Sequence, residues 1–525
     1  MYLSTIDIVI IISYAFIIFI LAQWVSRERH HTKNEKDYFL ASKALPWWAV
    51  GASLIAANIS TEQIVGAAGS AYAIGIAIAS YEWMSAITIL IVGKYFLPIF
   101  LKLGIYSMPQ FLEQRYGSSV KNLVAAFWVC AYIFIYLTSI LWLGALATTT
   151  ITGISQVLAL ILLASFATAY SLYGGLRAVA YTDIIQVVLL ITGGLAILYI
   201  ALNEISNQNG VISGFNIMVT TMPEKFDLIL SGDSEFYEYM PGISVLLGGM
   251  WIINLVYWGL NQYIIQRALA AKNLQEAQKG MLFAGALKLL IPVIVVFPGI
   301  AAAYLIPDLR VANGVSDQAY PEMMKLLPTG FKGLVFAALL AAVVSTIASM
   351  MNSIATIFTM DLYRSWRKHQ ETSSTHLVKV GRIASLVSIV IASCVAKPLL
   401  GNFDQAFQYI QDAVTFFSPG IAAIFLLGMF WKHTTESAAF LAMLGSIILS
   451  IIITLLWPEF PFMDRALLVF FACIAIALIK SAFAGRTGGT MCIKTSTVSF
   501  STPLSYNIGA LGLALVLGTI YWTWW

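Results

Sequence analysis

Apolar runs of about 20 residues follow one another from Ile6 to Trp525, with short polar stretches between them. At 1.5 Å rise per residue, a helix of about that length spans the roughly 30 Å hydrocarbon core of a bilayer. Spanning helices satisfy their own backbone polar groups, so the pattern predicts an all-α membrane protein of about 14 transmembrane helices. The expected spans lie near 5–25, 46–72, 76–101, 122–150, 154–172, 178–203, 241–266, 280–306, 331–360, 380–399, 403–430, 435–457, 465–485 and 504–525. Two of them are interrupted. "SLIAANISTEQIVGAAG" places Asn58, Ser60, Thr61, Glu62 and Gln63 inside an apolar run. "LLGGMWIINLVYWGLNQYIIQR" carries Gly248, Gly249, Asn254, Tyr257, Asn261 and Gln262. A carboxylate at the membrane centre costs about 2.5–3.5 kcal/mol on insertion scales, so such positions are candidates for function.

Composition agrees. The 525 residues are 60% hydrophobic and 10% charged, against about 25% charged in soluble domains. No polar region is long enough for a large soluble domain. The net charge of +4 reflects topology, and nothing resembles a nucleic-acid patch. Most basic residues fall in alternate loops taken as cytoplasmic, among them Arg27, Arg115, Lys121, Arg267, Arg364 and Lys432. Lys225, Arg310, Lys325, Lys332, Lys397 and Arg465 fall on the other side. This positive-inside bias predicts both termini outside. The first run has no basic flank before it and basic residues after it, so it reads as a span rather than a signal peptide. The acidic loop near 204–240 is expected to cap the outer face. Cys130, Cys394, Cys473 and Cys492 show no CxxC spacing and read as small buried hydrophobes. The five histidines fall in loops, and no HExxH, GxSxG or Walker pattern occurs, so an enzyme is not expected.

The interrupted spans, second and seventh, lie five spans apart and run in opposite directions. They would open two five-helix units of inverted topology, 46–203 and 241–430, within one transporter domain covering 1–525. Segments 1–45 and 431–525 would be peripheral. Secondary transporters are built this way, with broken helices meeting at a midplane site. No residue-level repeat is visible, so the inference rests on pattern.

The motifs "LPWWAVGASLIAANIS", "YGGLRAVAYTDIIQV", "YWGLNQYIIQR" and "VVSTIASMMNSIATIFTMDLY" resemble those of the sodium:solute symporter family, especially its galactose- and glucose-carrying members. The resemblance covers nearly the whole chain. It implies a leucine-transporter-like core, sodium-coupled symport of a hexose by alternating access, sodium as co-transported ion and no organic cofactor. The implied partners are a sugar, sodium and membrane lipid, in a bacterial inner membrane.

The resemblance places substrate contacts on Asn58, Gln63, Glu82, Ser85, Asn254, Lys288 and Gln411. A sugar hydroxyl both donates and accepts, so its site needs both kinds of partner. A buried ion pair is the plainer reading of Glu82 with Lys288, and interhelical hydrogen bonding that of Gln63 and Asn254. Tyr257 matches an inner gate, with Trp258 behind it, and Tyr81 and Phe407 match an outer gate. The sodium site maps onto carbonyls of Ala56, Ile59 and Ala342 and hydroxyls of Ser345 and Thr346. All are neutral oxygens, which favours sodium over a proton. The alternative for the two hydroxyls is bonding back to their own helix. Asp183 resembles a carboxylate of the cation path, or is a solvated helix-end charge.

Two positions depart from the family pattern. Tyr136 stands where an Asn contacts sugar, and Ala67 where a larger outer-gate residue is usual. Both leave the solute open, and a sodium symporter for inositol, an amino acid or a carboxylate is the alternative.

Overall fold

The computed structural model describes residues 3–27, 45–105, 107–173, 176–309, 315–367, 373–483 and 498–525. Among them the chain is helical, with one isolated bridge pairing Leu45 with Ala271. The helices that position the site are α1 (Thr5–Arg27), α2 (Trp47–Asn58), α3 (Ala68–Ala73), α4 (Ala79–Ile91), α5 (Thr138–Thr152), α6 (Gln156–Tyr173), α7 (Leu176–Ile205), α8 (Gly249–Leu255), α9 (Gln262–Leu269), α10 (Leu274–Lys288), α11 (Ile291–Leu305), α12 (Phe331–Thr356), α13 (Ala406–Thr415) and α14 (Ser418–Phe430). Among the described residues, nine helical segments are long and apolar enough to cross a membrane, and α13 with α14, bent by 47°, would make a tenth if they form one span. Shorter apolar helices, including Thr5–Ile18 and Gly249–Leu260, occupy other expected spans.

The core is built around α2, which packs on α7, α10 and α12. Residues 49–58 of α2 are all buried. A helix apolar on every face belongs inside the bundle. The peripheral helices Glu436–Leu456 and Phe462–Phe483 are far less buried, as expected of lipid-facing spans. Helix ends find carboxylate partners. Glu276 accepts the Trp47 N–H at 2.8 Å, and Asp7 accepts the Gly330 and Gly333 N–H groups at 2.7 and 3.0 Å. A carboxylate at a helix N-terminus satisfies orphan donors and complements the dipole. Asp7 thereby ties α1 to the start of α12.

Gly75, at φ +107°, makes the turn after α3. A Cβ there would also collide with the Lys225 backbone. The expected outer cap, residues 204–240, is thus seated on this turn, and the Lys225 ammonium donates to the Ala73 carbonyl.

Three expectations need correction. Arg115, Lys121 and Arg267 are not loop charges: each is at most 5% exposed. Arg115 donates to the carbonyls of Gly428, Trp431 and Thr434 at 3.1–3.2 Å, closing the end of α14. Cys130 and Cys394 are exposed while Cys473 is buried, because the first two face outward from the bundle. His376 lies in the helix Ser374–Leu400, one turn ahead of the expected span.

Candidate functional site

The two interrupted spans break at different chemical signals. In a continuous helix the Ser60 N–H would bond the Ala56 carbonyl and the Gln63 N–H the Ile59 carbonyl. Instead Ser60 N–H turns to Asn58 O at 2.8 Å and Gln63 N–H to Ser60 O at 3.1 Å. The Ala56 and Ile59 carbonyls are released from those bonds. After the break the chain resumes as a π-helical turn, Glu62–Ala67, of the kind often found at functional sites. The second break falls at Asn261, with φ −84° and ψ 121°, after another π-helical turn, Val256–Leu260. Gly248, where the chain also leaves helical geometry, marks a separate interruption nearer the start of that span.

Asn58, Gln63, Tyr81, Glu82, Asn254, Tyr257, Trp258, Lys288 and Gln411 line one small cavity together with Ile253. Six of the eight expected substrate contacts therefore converge, with one residue of each expected gate. The Lys288 ammonium, fully buried, donates to the Glu82 carboxylate and to Asn58 Oδ1 at 2.5 Å. It lies 4.6 Å from the Trp258 ring centroid, a cation–π distance. The ion pair is real, and it faces the cavity. Gln63 Oε1 and Asn254 Nδ2 are buried with no hydrogen-bond partner among the described residues. An unmade bond to a buried polar group costs about 1–3 kcal/mol. One free acceptor and one free donor therefore point to a solute that supplies both.

The cavity volume is about 30 Å³, roughly the share of one water molecule in the liquid. The expected gate residues stand at its walls. Tyr81 packs edge-on against Phe407, with centroids 5.1 Å apart, and its hydroxyl reaches Gln408 Oε1 at 3.4 Å. Phe407 in turn sits over Gly66, where an added Cβ would meet it at 3.1 Å. On the other side Asn58 Nδ2 donates to the Tyr257 hydroxyl at 3.1 Å, which shares a 2.5 Å hydrogen bond with Tyr263. Arg267 clamps beneath. It donates to Ser53 Oγ at 3.0 Å, to Ser349 Oγ at 3.1 Å and to the Tyr263 carbonyl, joining α9 to α2 and α12.

Ser85 and Tyr136 do not line the cavity. Ser85 donates to the Glu82 carbonyl at 2.7 Å, one turn of its own helix. Tyr136 packs with Tyr132 and Tyr263, at centroid distances of 6.0 and 6.4 Å, behind the expected inner-gate residue Tyr257. Of the expected cation ligands, Thr346 donates to the Ala342 carbonyl at 2.9 Å, leaving its oxygen free to accept. Ser345 and Thr346 are both buried, and α12 packs on α2. The Asp183 side chain lies outside the described residues.

Sequence reasoning missed Tyr132 and Tyr263, and it flagged Asn261 without seeing that the break falls there. Tyr132 donates to Asn261 Oδ1 at 2.5 Å, pinning the second break. Tyr257 and Tyr263 are six residues apart and would point to different helix faces in an unbroken helix. The break at Asn261 brings them together. Glu62, flagged from sequence as a costly carboxylate, is 3% exposed and opens the π-helical turn after the first break, but it does not line the cavity.

On the side expected to face outward, the loop after α11 is fastened to the start of α13. Asp317 Oδ2 accepts the Ala406 N–H at 2.8 Å, and Asp404 accepts both the N–H and the hydroxyl of Ser316 at 2.8 Å. Burial, reinforced by the Asp404 carboxylate, holds the Asp317 carboxyl well above the usual carboxylate range.

Residues 38–446 match the pattern of the sodium:solute symporter family. The chain is 47% identical to the sodium/glucose cotransporter of Vibrio parahaemolyticus, over 100% of this chain and 99% of that protein. It is 33% identical to the sodium/myo-inositol cotransporter 2 of Mus musculus, over 85% of this chain and 69% of that one. In three dimensions it resembles a Na+-coupled sialic acid symporter in a substrate-bound outward-open state. That match has a TM-score of 0.80 at 22% identity, covering 93% of this chain and 100% of that one.

Proposed function

The chain belongs to the sodium:solute symporter family, and from that premise we propose that it imports a hexose of the glucose or galactose type, driven by sodium. The observation that carries the reading is the cavity between the two broken helices. Glu82, Lys288, Asn58, Asn254, Gln63 and Gln411 surround it, with free hydrogen-bonding capacity on Gln63 and Asn254. A site built of such groups also rejects analogues lacking a hydroxyl, because its own polar atoms would stay unpaired.

Sodium would bind the Ala56, Ile59 and Ala342 carbonyls and the Ser345 and Thr346 hydroxyls. The released carbonyls of α2 and the α12 hydroxyls offer neutral oxygens to a hard cation. Binding there holds the broken helix against α12 and favours an open outer side. The sugar then enters past Tyr81 and Phe407. Its release inward requires the Asn58–Tyr257–Tyr263 bonds and the Arg267 clamp to give way, while the two five-helix units, 46–203 and 241–430, rock about the site. Both termini would face outward. One charge crossing 100 mV yields about 2.3 kcal/mol, and a tenfold sodium gradient about 1.4 kcal/mol. Together, about 3.7 kcal/mol supports an accumulation of several hundred-fold at about 1.4 kcal/mol per decade.

A cyclic polyol is the second reading. It is favoured by the likeness to a sodium/myo-inositol cotransporter and by a lining that recognises hydroxyls rather than a formal charge. The test is uptake of radiolabelled glucose, galactose and myo-inositol into proteoliposomes, each measured separately. Sodium-dependent hexose uptake lost in Gln63→Ala supports the first reading. Hexose uptake absent while myo-inositol is taken up overturns it.

A further inference from the structure

A second cavity, of about 240 Å³, lies outside the transport site, between α1, α6, α7 and α12. Its walls are almost wholly apolar, from Ile11 and Ile18 on α1, Leu163 and Phe166 on α6, and Ala337 and Val344 on α12. Its lining residues Leu162 and Phe166 are exposed, as are Ile12, Phe16 and Ile161 on the same helices, so it borders a surface that in a membrane meets lipid. Four side chains with polar groups interrupt the lining, the buried Tyr170 of α6 among them. Gln186 on α7 is buried. Thr148 on α5 donates to the Gly144 carbonyl at 2.7 Å, which leaves its oxygen able to accept. Tyr14 on α1 is 8% exposed, and its hydroxyl has no hydrogen-bond partner among the described residues.

An unpaired hydroxyl surrounded by hydrocarbon is costly, and the residue that carries it lines an open volume. Water is a poor occupant. A buried water needs two to four polar partners, and apolar cavities stay dry while accepting small apolar ligands; one of about 150 Å³ takes up benzene. Phospholipid headgroups are poor occupants too. None of the lining residues carries a formal charge, and Tyr14 lies about 13 Å along α1 from its first residue at 1.5 Å rise each. A phosphate drawn to that depth would lack a counter-charge.

We propose that this cavity binds a neutral lipid alcohol. Its single hydroxyl accepts from Tyr14 and bonds to Gln186 or Thr148, and its apolar body fills the space between α1 and α12 and emerges into the bilayer. A hydroxyl is both donor and acceptor and uncharged, which matches the Tyr, Gln and Thr lining. Asp7 holds α1 against α12 at one end, so the cavity wall is fixed rather than formed by the ligand.

The test uses full-length protein in nanodiscs with two photoreactive probes: a diazirine-bearing cholesterol and a diazirine-bearing phosphatidylcholine. Cross-links are mapped by peptide mass spectrometry, a readout independent of transport. The cholesterol probe is expected to label peptides of α1 and α6. That labelling should fall at least fivefold in Tyr14→Phe, which removes only the hydroxyl, and in Ala15→Phe, which fills the space. Labelling unchanged in Tyr14→Phe overturns the hydroxyl recognition. Equal labelling of the same peptides by phosphatidylcholine overturns the lipid-alcohol assignment. Tyr14→Phe preserves the ring and its packing, so the test stands even if Ala15→Phe does not fold.

Discussion

The Lys288–Glu82 pair separates a transport site from a structural ion pair. Both side chains are at most 5% exposed, and the lysine also bonds Asn58. Removing one partner of a buried pair strands the other charge and costs about 3–5 kcal/mol. Lys288→Met alone is therefore expected to lower the melting temperature sharply, and Glu82→Gln alone to do the same. Replacing both removes the stranded charge, and exchange of a buried pair for neutral groups is often neutral in stability. The double variant Glu82→Gln with Lys288→Met should then melt near the wild type. Its sugar affinity should not recover, because both groups face the cavity. Two charge-assisted hydrogen bonds at about 1.5–3 kcal/mol each imply a loss beyond a hundredfold at about 1.4 kcal/mol per decade. The assay pairs a thermal melt in detergent with equilibrium binding of radiolabelled glucose in saturating sodium. A double variant that melts normally and binds sugar within a few-fold of wild type would refute the reasoning and leave the pair a structural one.

Other outcomes follow from the gates and their fastenings. Tyr257→Phe removes hydrogen bonds to Asn58 and Tyr263, worth about 0.5–1.5 kcal/mol each. Efflux of sugar from loaded proteoliposomes should quicken by about fivefold or more at about 1.4 kcal/mol per decade. Arg267→Met cuts the clamp among α2, α9 and α12, and a loss of at least about 1.5 kcal/mol should appear as a lower melting temperature. Asp317 titrates in the fold at a value raised by burial above its ordinary 3.8. It holds its proton more tightly folded than unfolded, so its contribution is complete below 3.8 and is lost as pH rises toward the folded value. Asp317→Asn should flatten that decline and raise the melting temperature near neutral pH, read from melts across a pH series.

The fold was legible where hydrophobic pattern alone decides it. Each expected span coincides with a helix or a chain of short helices, because a bilayer leaves the backbone few alternatives. The break after Asn58 was legible too, since five polar residues in six positions have no other use in an apolar run. The exact point of the second break was not. Gly248 and Gly249 draw attention, yet the break that shapes the site falls at Asn261, held by a hydrogen bond from Tyr132 more than a hundred residues away. Pairings of that kind have no local signal. The same reason hid the contact of Tyr257 with Tyr263 and the burial of Arg115 and Arg267. Those arginines read as loop charges because their carbonyl and hydroxyl partners come from distant helices. Ser85 matched a family position, but it does not line the cavity, and its hydroxyl hydrogen goes to its own helix.

The central claim is sodium coupling of hexose movement through this site. The most direct measurement is glucose accumulation in proteoliposomes under a tenfold inward sodium gradient, first at zero potential and then at 100 mV inside negative. With one sodium per sugar, the account predicts accumulation limited to about tenfold at zero potential and rising toward several hundred-fold with it. Ser345→Ala should abolish both. Accumulation driven equally well by a proton gradient without sodium, or retained in Ser345→Ala, would contradict it.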